Sequence, residues 1–90
     1  MSNRTFPLGQ VVATPGLLAR IPPSEHLDAL HRHAGSDWGD LDDEDRQANE
    51  DALRDGGRLF SVYRASSGIK FWIITEDDRS ATCLLLPEEY

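Results

Sequence analysis

The chain has 90 residues, with 16 acidic and 9 basic side chains and a formal net charge of −7. This length fits one small domain, and the acidic balance argues against direct binding to nucleic acid or to an anionic membrane. No apolar run approaches the ~20 residues of a membrane-spanning helix, and the lone Cys83 excludes an internal disulfide and suits the cytoplasm. We therefore expect one cytoplasmic domain over residues 1–90, with a loose segment at 1–7.

The first part of the chain predicts a strand and a helix. A strand is predicted over residues 8–14, around two valines, and residues 16–21 are long enough for one helical turn. A helix is predicted over residues 25–34, with Ser24 as its N-cap and Gly35 at its end. Its leucines recur at helical spacing, which indicates one buried face.

A second helix is predicted from about residue 43 to about residue 55. Asp42 is its expected N-cap and Asp45 lies at the third helical position, an arrangement similar to a capping box. Gly56 and Gly57 end it. Its apolar stripe is thin and consists of Ala48, Ala52 and Leu53.

The last third of the chain changes to strand periodicity. Strands are predicted over residues 58–65, 69–75 and 81–86, with Gly68 marking a hairpin between the first two. The order β-α-α-β-β-β predicts an α+β fold: a four-stranded antiparallel sheet with two helices on one face. The predicted core positions are Val11, Leu27, Leu30, Leu53, Phe60, Val62, Phe71, Ile73 and Leu84.

The excess negative charge lies in one segment, residues 37–55. Nine acids and two arginines fall there, a net charge of 2 − 9 = −7, so the rest of the chain sums to zero. Favourable i,i+4 pairs are expected between Asp42 and Arg46 and between Glu50 and Arg54. About seven carboxylates remain unpaired along an element about 20 Å long.

This segment contains the candidate partner-binding residues. A row of carboxylates at this density is comparable in kind to duplex DNA, which carries one charge per ~1.7 Å of axis. The alternative is a solvated face that keeps a small protein soluble. Trp38 is expected to anchor the core, with an interface contact as the alternative. The candidate set is Asp37, Trp38, Asp40, Asp42, Asp43, Glu44, Asp45, Glu50, Asp51 and Asp55.

Catalytic and metal chemistry find little support in the residues. His31 and His33 point to roughly opposite sides of a helix, and His26 and His33 are two turns apart, so they do not converge on one ion. No nucleophile elbow and no glycine-rich phosphate loop are present. Cys83 lies in an apolar strand where a thiol stays inert. We expect no cofactor, no metal and no enzymatic activity.

Three stretches carry a family resemblance: HRHAGSDWGDLDDEDRQANE (31–50), GGRLFSVY (56–63) and KFWIITEDDRSATCLLLPEEY (70–90). They resemble a family of short proteins from bacterial plasmids and integrated mobile elements, known as plasmid-related proteins. The resemblance covers roughly residues 8–90 and is most specific at DWGDL and WIITEDDRS. It implies a mobile-element cargo gene, a context that includes acidic anti-CRISPR and anti-restriction proteins.

Charge and context together lead to one functional expectation. The chain is expected to inhibit a host defence complex by placing DNA-like carboxylates in a basic, DNA-binding surface of a protein or ribonucleoprotein. The first alternative is an adaptor or regulatory module for some other basic protein. The second is a small metal-dependent hydrolase built on His31, His33 and nearby acids.

Overall fold

The computed structural model describes residues 5–90. Its strands are β1 (Gln10–Ala13), β2 (Leu59–Arg64), β3 (Lys70–Thr75) and β4 (Ala81–Leu85), and its helices are α1 (Pro15–Arg20), α2 (Pro23–Ala34) and α3 (Asp43–Asp55). A short 3-10 turn follows at Pro87–Glu89. The predicted α+β class is confirmed. The loose segment expected at 1–7 lies outside the described residues for 1–4, whereas Phe6 stacks on Trp38.

The four strands form one mixed sheet in the order β1-β4-β3-β2. β2, β3 and β4 are antiparallel neighbours, as predicted, but β1 runs parallel to β4. The expectation of a fully antiparallel sheet is therefore wrong. Three helices separate β1 from β2 along the chain. This long connection allows β1 to lie at the far edge of the sheet in either direction, which no local pattern specifies.

The bounds of α3 agree with the prediction, whereas those of α1 and the start of α2 differ from it. The predicted N-cap of α3 is confirmed, because an Asp42 carboxylate oxygen accepts a hydrogen bond from the Asp45 amide at 2.8 Å. Ser24 does not cap α2, which begins at Pro23, two residues earlier than predicted. Proline suits the first helical position because it has no amide hydrogen to satisfy there. The single turn expected at 16–21 is the short helix α1.

The core lies between the sheet and the helices α1 and α2. Phe71, Ile73 and Leu84 are buried there, as predicted, against helix residues that include Leu17. Val62 is also buried, in a second cluster with Trp38. Predicted core residues that are only half-buried are Leu30, Leu53 and Phe60.

Two predicted core residues are exposed. Leu27 is 62% exposed because it lies about 200° around α2 from the buried Ala29, at about 100° per residue. Val11 is 44% exposed because β1 is an edge strand with a neighbour on one side only. The two adjacent valines identified the strand but not its place in the sheet.

The opposite sheet face carries a partly covered aromatic group. Phe60 and Trp72 meet edge to face with their ring centroids 5.0 Å apart, and Tyr90 packs on Trp72 at 5.6 Å. With Arg58 and Ile74 they line a cavity of about 260 Å³. The structure has three helices where two were expected on one face. Helices α1 and α2 pack on the first face, and the C-terminal residues cover part of the second.

Candidate interaction surface

The loop between α2 and α3, residues 35–42, is called the acidic loop. This loop and α3 are both bonded to the outer edge of β2. The Gly39 segment forms an isolated parallel bridge with Val62, whose amide donates to the Trp38 carbonyl at 3.1 Å and whose carbonyl accepts from the Asp40 amide at 2.8 Å. Gly39 has φ +74°, and a Cβ there would overlap the Val62 carbonyl oxygen. Glycine is therefore required at this position.

Asn49, in the middle of α3, makes a second contact with the edge of β2. Its side-chain amide donates to the Phe60 carbonyl at 2.7 Å, and its carbonyl oxygen accepts from the Phe60 amide at 3.0 Å. The buried Asn49 thus replaces a neighbouring strand for one residue of β2. The sequence prediction missed this role of Asn49 and placed the exposed Ala48 on the buried stripe instead. The signal in the sequence is the helical spacing of Asn49, which lies three positions before Ala52 and four before Leu53 and so shares their face.

Trp38 anchors the acidic loop in the second core cluster. It is only 2% exposed and contacts Phe6 and His33 through its ring. Its indole N–H donates to a Glu50 carboxylate oxygen at 3.2 Å. The expected core role of Trp38 is therefore confirmed, and its burial leaves little of the side chain for a partner to contact. Glu50 is half-buried and has a structural role beside it.

Arg46 also differs from its expected role. Its guanidinium donates to the carbonyl oxygens of Leu41 at 3.2 Å and Gly39 at 2.8 Å. The expected ion pair between Asp42 and Arg46 is not among the ion pairs of residues 5–90. The Asp42 carboxylate caps the helix, and Arg46 instead stabilises the loop that carries Asp40.

Three further acids of the candidate set are paired with arginine. Asp37 accepts from Arg32 at 2.8 Å, and this hydrogen bond lowers the pKa of Asp37. Asp51 and Asp55 both accept from Arg54 at 3.1 Å. Hydrogen bonds from Gln47 and then Arg54 lower the pKa of Asp51. Because two guanidinium groups offset most of the charge of these three carboxylates, they contribute less to the external potential than their number suggests.

Five carboxylates of the set remain exposed and have no ion pair within residues 5–90. They occupy the loop and the first turn of α3, and we call them the acidic surface: Asp40, Asp42, Asp43, Glu44 and Asp45. The predicted row along the whole helix is thus concentrated at one end. Its base is held by hydrogen bonds from Asn49, Arg46 and the Gly39 segment, so the backbone carrying it is ordered.

The histidines do not form a metal site. No group of three or more His, Cys, Asp or Glu side chains in the described part of the chain could hold a metal ion. His26 contacts the Ile21 carbonyl at 2.7 Å, His31 is exposed, and His33 is completely buried. The hydrolase alternative therefore loses the cluster on which it was based.

His33 lies in a buried chain of hydrogen bonds whose directions can be assigned. The Thr82 hydroxyl donates to the Leu8 carbonyl at 2.7 Å, so it accepts from Thr75 at 2.7 Å. Thr75 in turn accepts from Nε2–H of His33 at 2.9 Å. Nδ1 therefore carries no hydrogen and accepts from Ser61 at 2.5 Å. Since the Ser61–His33 pair is sealed from solvent, it serves the core and reaches no substrate.

The chain matches no protein-family model, no curated protein and no solved structure. None of its helices within residues 5–90 is long and apolar enough to cross a membrane.

Proposed function

We propose that the chain is a non-enzymatic inhibitor from a bacterial mobile element, acting in the cytoplasm. Its acidic surface occupies the Lys/Arg-lined DNA channel of a host defence complex of the CRISPR or restriction type and competes there with the target duplex. The single observation that supports this most is a group of five exposed carboxylates, without an ion pair to any residue of 5–90, on an ordered loop and helix start. The resemblance to plasmid-related proteins is consistent with this context.

Local electrostatics favour this use of the acidic surface. Five carboxylates contribute a charge of about −5, whereas Arg46 and the helix dipole together offset only about +1.5. The surface is therefore strongly negative even though it lies at the positive end of a helix. A ligand held by charge pairs associates quickly and loses affinity as salt rises.

The main test removes charge from the acidic surface without changing side-chain size. The triple variant is Asp40→Asn, Asp43→Asn and Glu44→Gln, which leaves the Asp42 cap intact. Each neutralised helix acid costs about 0.3–1 kcal/mol of stability, so the variant should fold, as a thermal melt can verify. In bacteria that restrict a phage by CRISPR or by a restriction system, the wild-type chain should raise the plating efficiency by orders of magnitude. The triple variant should lose most of this effect.

A matched control removes three charges elsewhere: Asp28→Asn, Asp77→Asn and Glu88→Gln. These side chains are exposed and distant in sequence from the acidic surface, and the Arg20–Glu88 pair lost in the control is a surface pair of small value. The control should protect the phage as well as wild type does. Equal protection by the triple variant would contradict the carboxylate mechanism, and absence of protection against every such system would contradict the inhibitor function.

The adaptor alternative uses the same surface for a different basic partner. It predicts that the triple variant loses binding to a basic protein in cells that carry no CRISPR or restriction system. Capture of such a partner, together with no effect on phage plating, would favour the adaptor over the inhibitor.

A further inference from the structure

The two edges of the sheet differ in how their backbone groups are satisfied. At the β2 edge, the outward amides and carbonyls of Phe60 and Val62 bond with Asn49 and with the loop backbone. At the other edge, β1 pairs only with β4, and no strand of residues 5–90 lies beyond it. An open edge of this kind is a template for pairing with another strand.

The hydrogen-bond pattern identifies which groups of β1 point outward. The Gln10 amide donates to Ser80 and the Thr14 amide donates to Leu84, both at 3.0 Å, so residues 10, 12 and 14 face β4. The alternation of backbone direction then turns the amides and carbonyls of Val11 and Ala13 away from the sheet. Four backbone groups are therefore available on the outer edge.

The side chains of this edge lack the usual protection against pairing. Val11 and Val12 are each 44% exposed, and residues 8–14 contain no charged side chain and no proline. Natural open edges are commonly blocked by Lys, Pro, a bulge or a covering segment. β1 has neither the charge nor the proline.

We propose that β1 pairs antiparallel with β1 of a second copy of this chain across a two-fold axis, forming a continuous eight-stranded sheet. The distribution of charge favours a second copy as the occupant. The acidic surface is attached at the β2 edge, at the opposite side of the sheet from β1, so the paired edge is neutral and the two acidic surfaces lie at the two far ends. Pairing through any surface near α3 would bring like charges together.

The backbone also selects the register of this pair. Gly9 has φ +65° and ends the extended segment, whereas Thr14 is still extended. The centre of residues 10–14 is Val12, so the two-fold axis passes between Val12 and Val12 of the second copy. Val11 then exchanges two hydrogen bonds with Ala13 of the second copy, and the symmetric pair adds two more. The two Val12 residues form a non-hydrogen-bonded pair, in which Cα atoms are ~4.5 Å apart.

The contact is small, which sets the strength that we expect. Two strands of four residues bury less surface than the ~1,200 Å² of stable interfaces. The dimer should therefore form in a concentration-dependent equilibrium. Sedimentation of the full chain over a wide concentration range should show the average mass rising from 10.1 kDa towards twice that value.

Charge variants at Val12 test the interface directly. Val12→Lys and Val12→Glu each place like charges opposite one another at the axis, so each variant alone should remain monomeric at concentrations where wild type associates. An equimolar mixture of the two should associate again, a result that misfolding cannot produce. Leu27→Lys, at a still more exposed apolar residue on α2, is the control and should associate as wild type does.

Cysteine variants test the register. Cys83 is replaced by Ala in this series because it pairs with Val12 in the sheet and could capture a nearby thiol. Val12→Cys should form an intermolecular disulfide rapidly on mild oxidation, since ~4.5 Å between Cα atoms permits one. Val11→Cys, which faces Ala13 of the second copy, and Leu27→Cys should crosslink much more slowly.

Several outcomes would overturn the proposal. A mass of 10.1 kDa at every concentration excludes the dimer. Association that neither charge variant weakens, or that their mixture does not restore, excludes β1 as the interface. Faster crosslinking through Val11 than through Val12 excludes this register.

Discussion

The buried His33 makes stability depend on pH in a way that can be calculated. Burial, with a smaller contribution from the positive charge of Arg79, lowers the pKa of His33 from 6.5 to about 4. The hydrogen bonds of the ring match this neutral form, because Nδ1 accepts from Ser61. Between these two pKa values the unfolded chain binds more protons than the folded chain. The free energy of unfolding therefore falls as the pH drops from 6.5 towards 4.

The size of the effect follows from the two pKa values. One pKa unit corresponds to 1.36 kcal/mol, so complete titration of His33 costs about 3 kcal/mol. At pH 5 the cost relative to pH 7.5 is about 2 kcal/mol. This is a large fraction of the stability of a small domain. Below about pH 4, carboxylates with lowered pKa values, such as Asp37 and Glu89, add their own losses.

Urea unfolding at pH 7.5 and pH 5 measures this effect in wild type and in His33→Gln. The variant keeps a polar side chain but cannot titrate. It should be less stable at pH 7.5, by about 1–3 kcal/mol, because its amide cannot satisfy both Ser61 and Thr75 in the same geometry. It should lose most of the drop between the two pH values. His31→Gln, at an exposed histidine, should keep the wild-type drop.

The comparison isolates His33, since the carboxylates are common to all three proteins. If wild type and His33→Gln lose the same free energy of unfolding between pH 7.5 and pH 5, the reasoning from the buried, neutral imidazole is refuted.

Two further predictions concern packing and the sheet edge. Phe71→Ala or Ile73→Ala should each lower the free energy of unfolding by about 2–5 kcal/mol. Val11→Ala at the exposed edge should lower it by less than about 1 kcal/mol. Equal losses in urea titration would contradict the observed core. Asn49→Ala removes the partners of the Phe60 amide and carbonyl, so it should lower the free energy of unfolding by about 2 kcal/mol. It should also speed hydrogen exchange at the Phe60 amide. Unchanged exchange would show that Asn49 does not protect the β2 edge.

The parts of the candidate site that sequence predicted correctly are local. Asp42 was identified as the cap of α3 because a short acceptor before the helix satisfies an amide three residues on, and the concentration of acids at 37–55 is visible in the sequence itself. Trp38 was expected to anchor the core, and it does. The structure separated the ten candidates by their partners. Arg32 of α2 pairs with Asp37 and the loop residue Trp38 bonds to Glu50, whereas Asp51 and Asp55 share Arg54 of their own helix.

The sequence by itself determined where strands and helices occur, because periodicity, capping residues and glycine act over a few neighbouring positions. It also determined the position of the acidic segment. Only the tertiary structure decided that β1 lies parallel at an open edge, that Asn49 completes the other edge, and that His33 is sealed between Ser61 and Thr75. Each of these depends on contacts between residues at least 11 positions apart, and the energy of such a contact is set by the partner and the surroundings that the fold supplies.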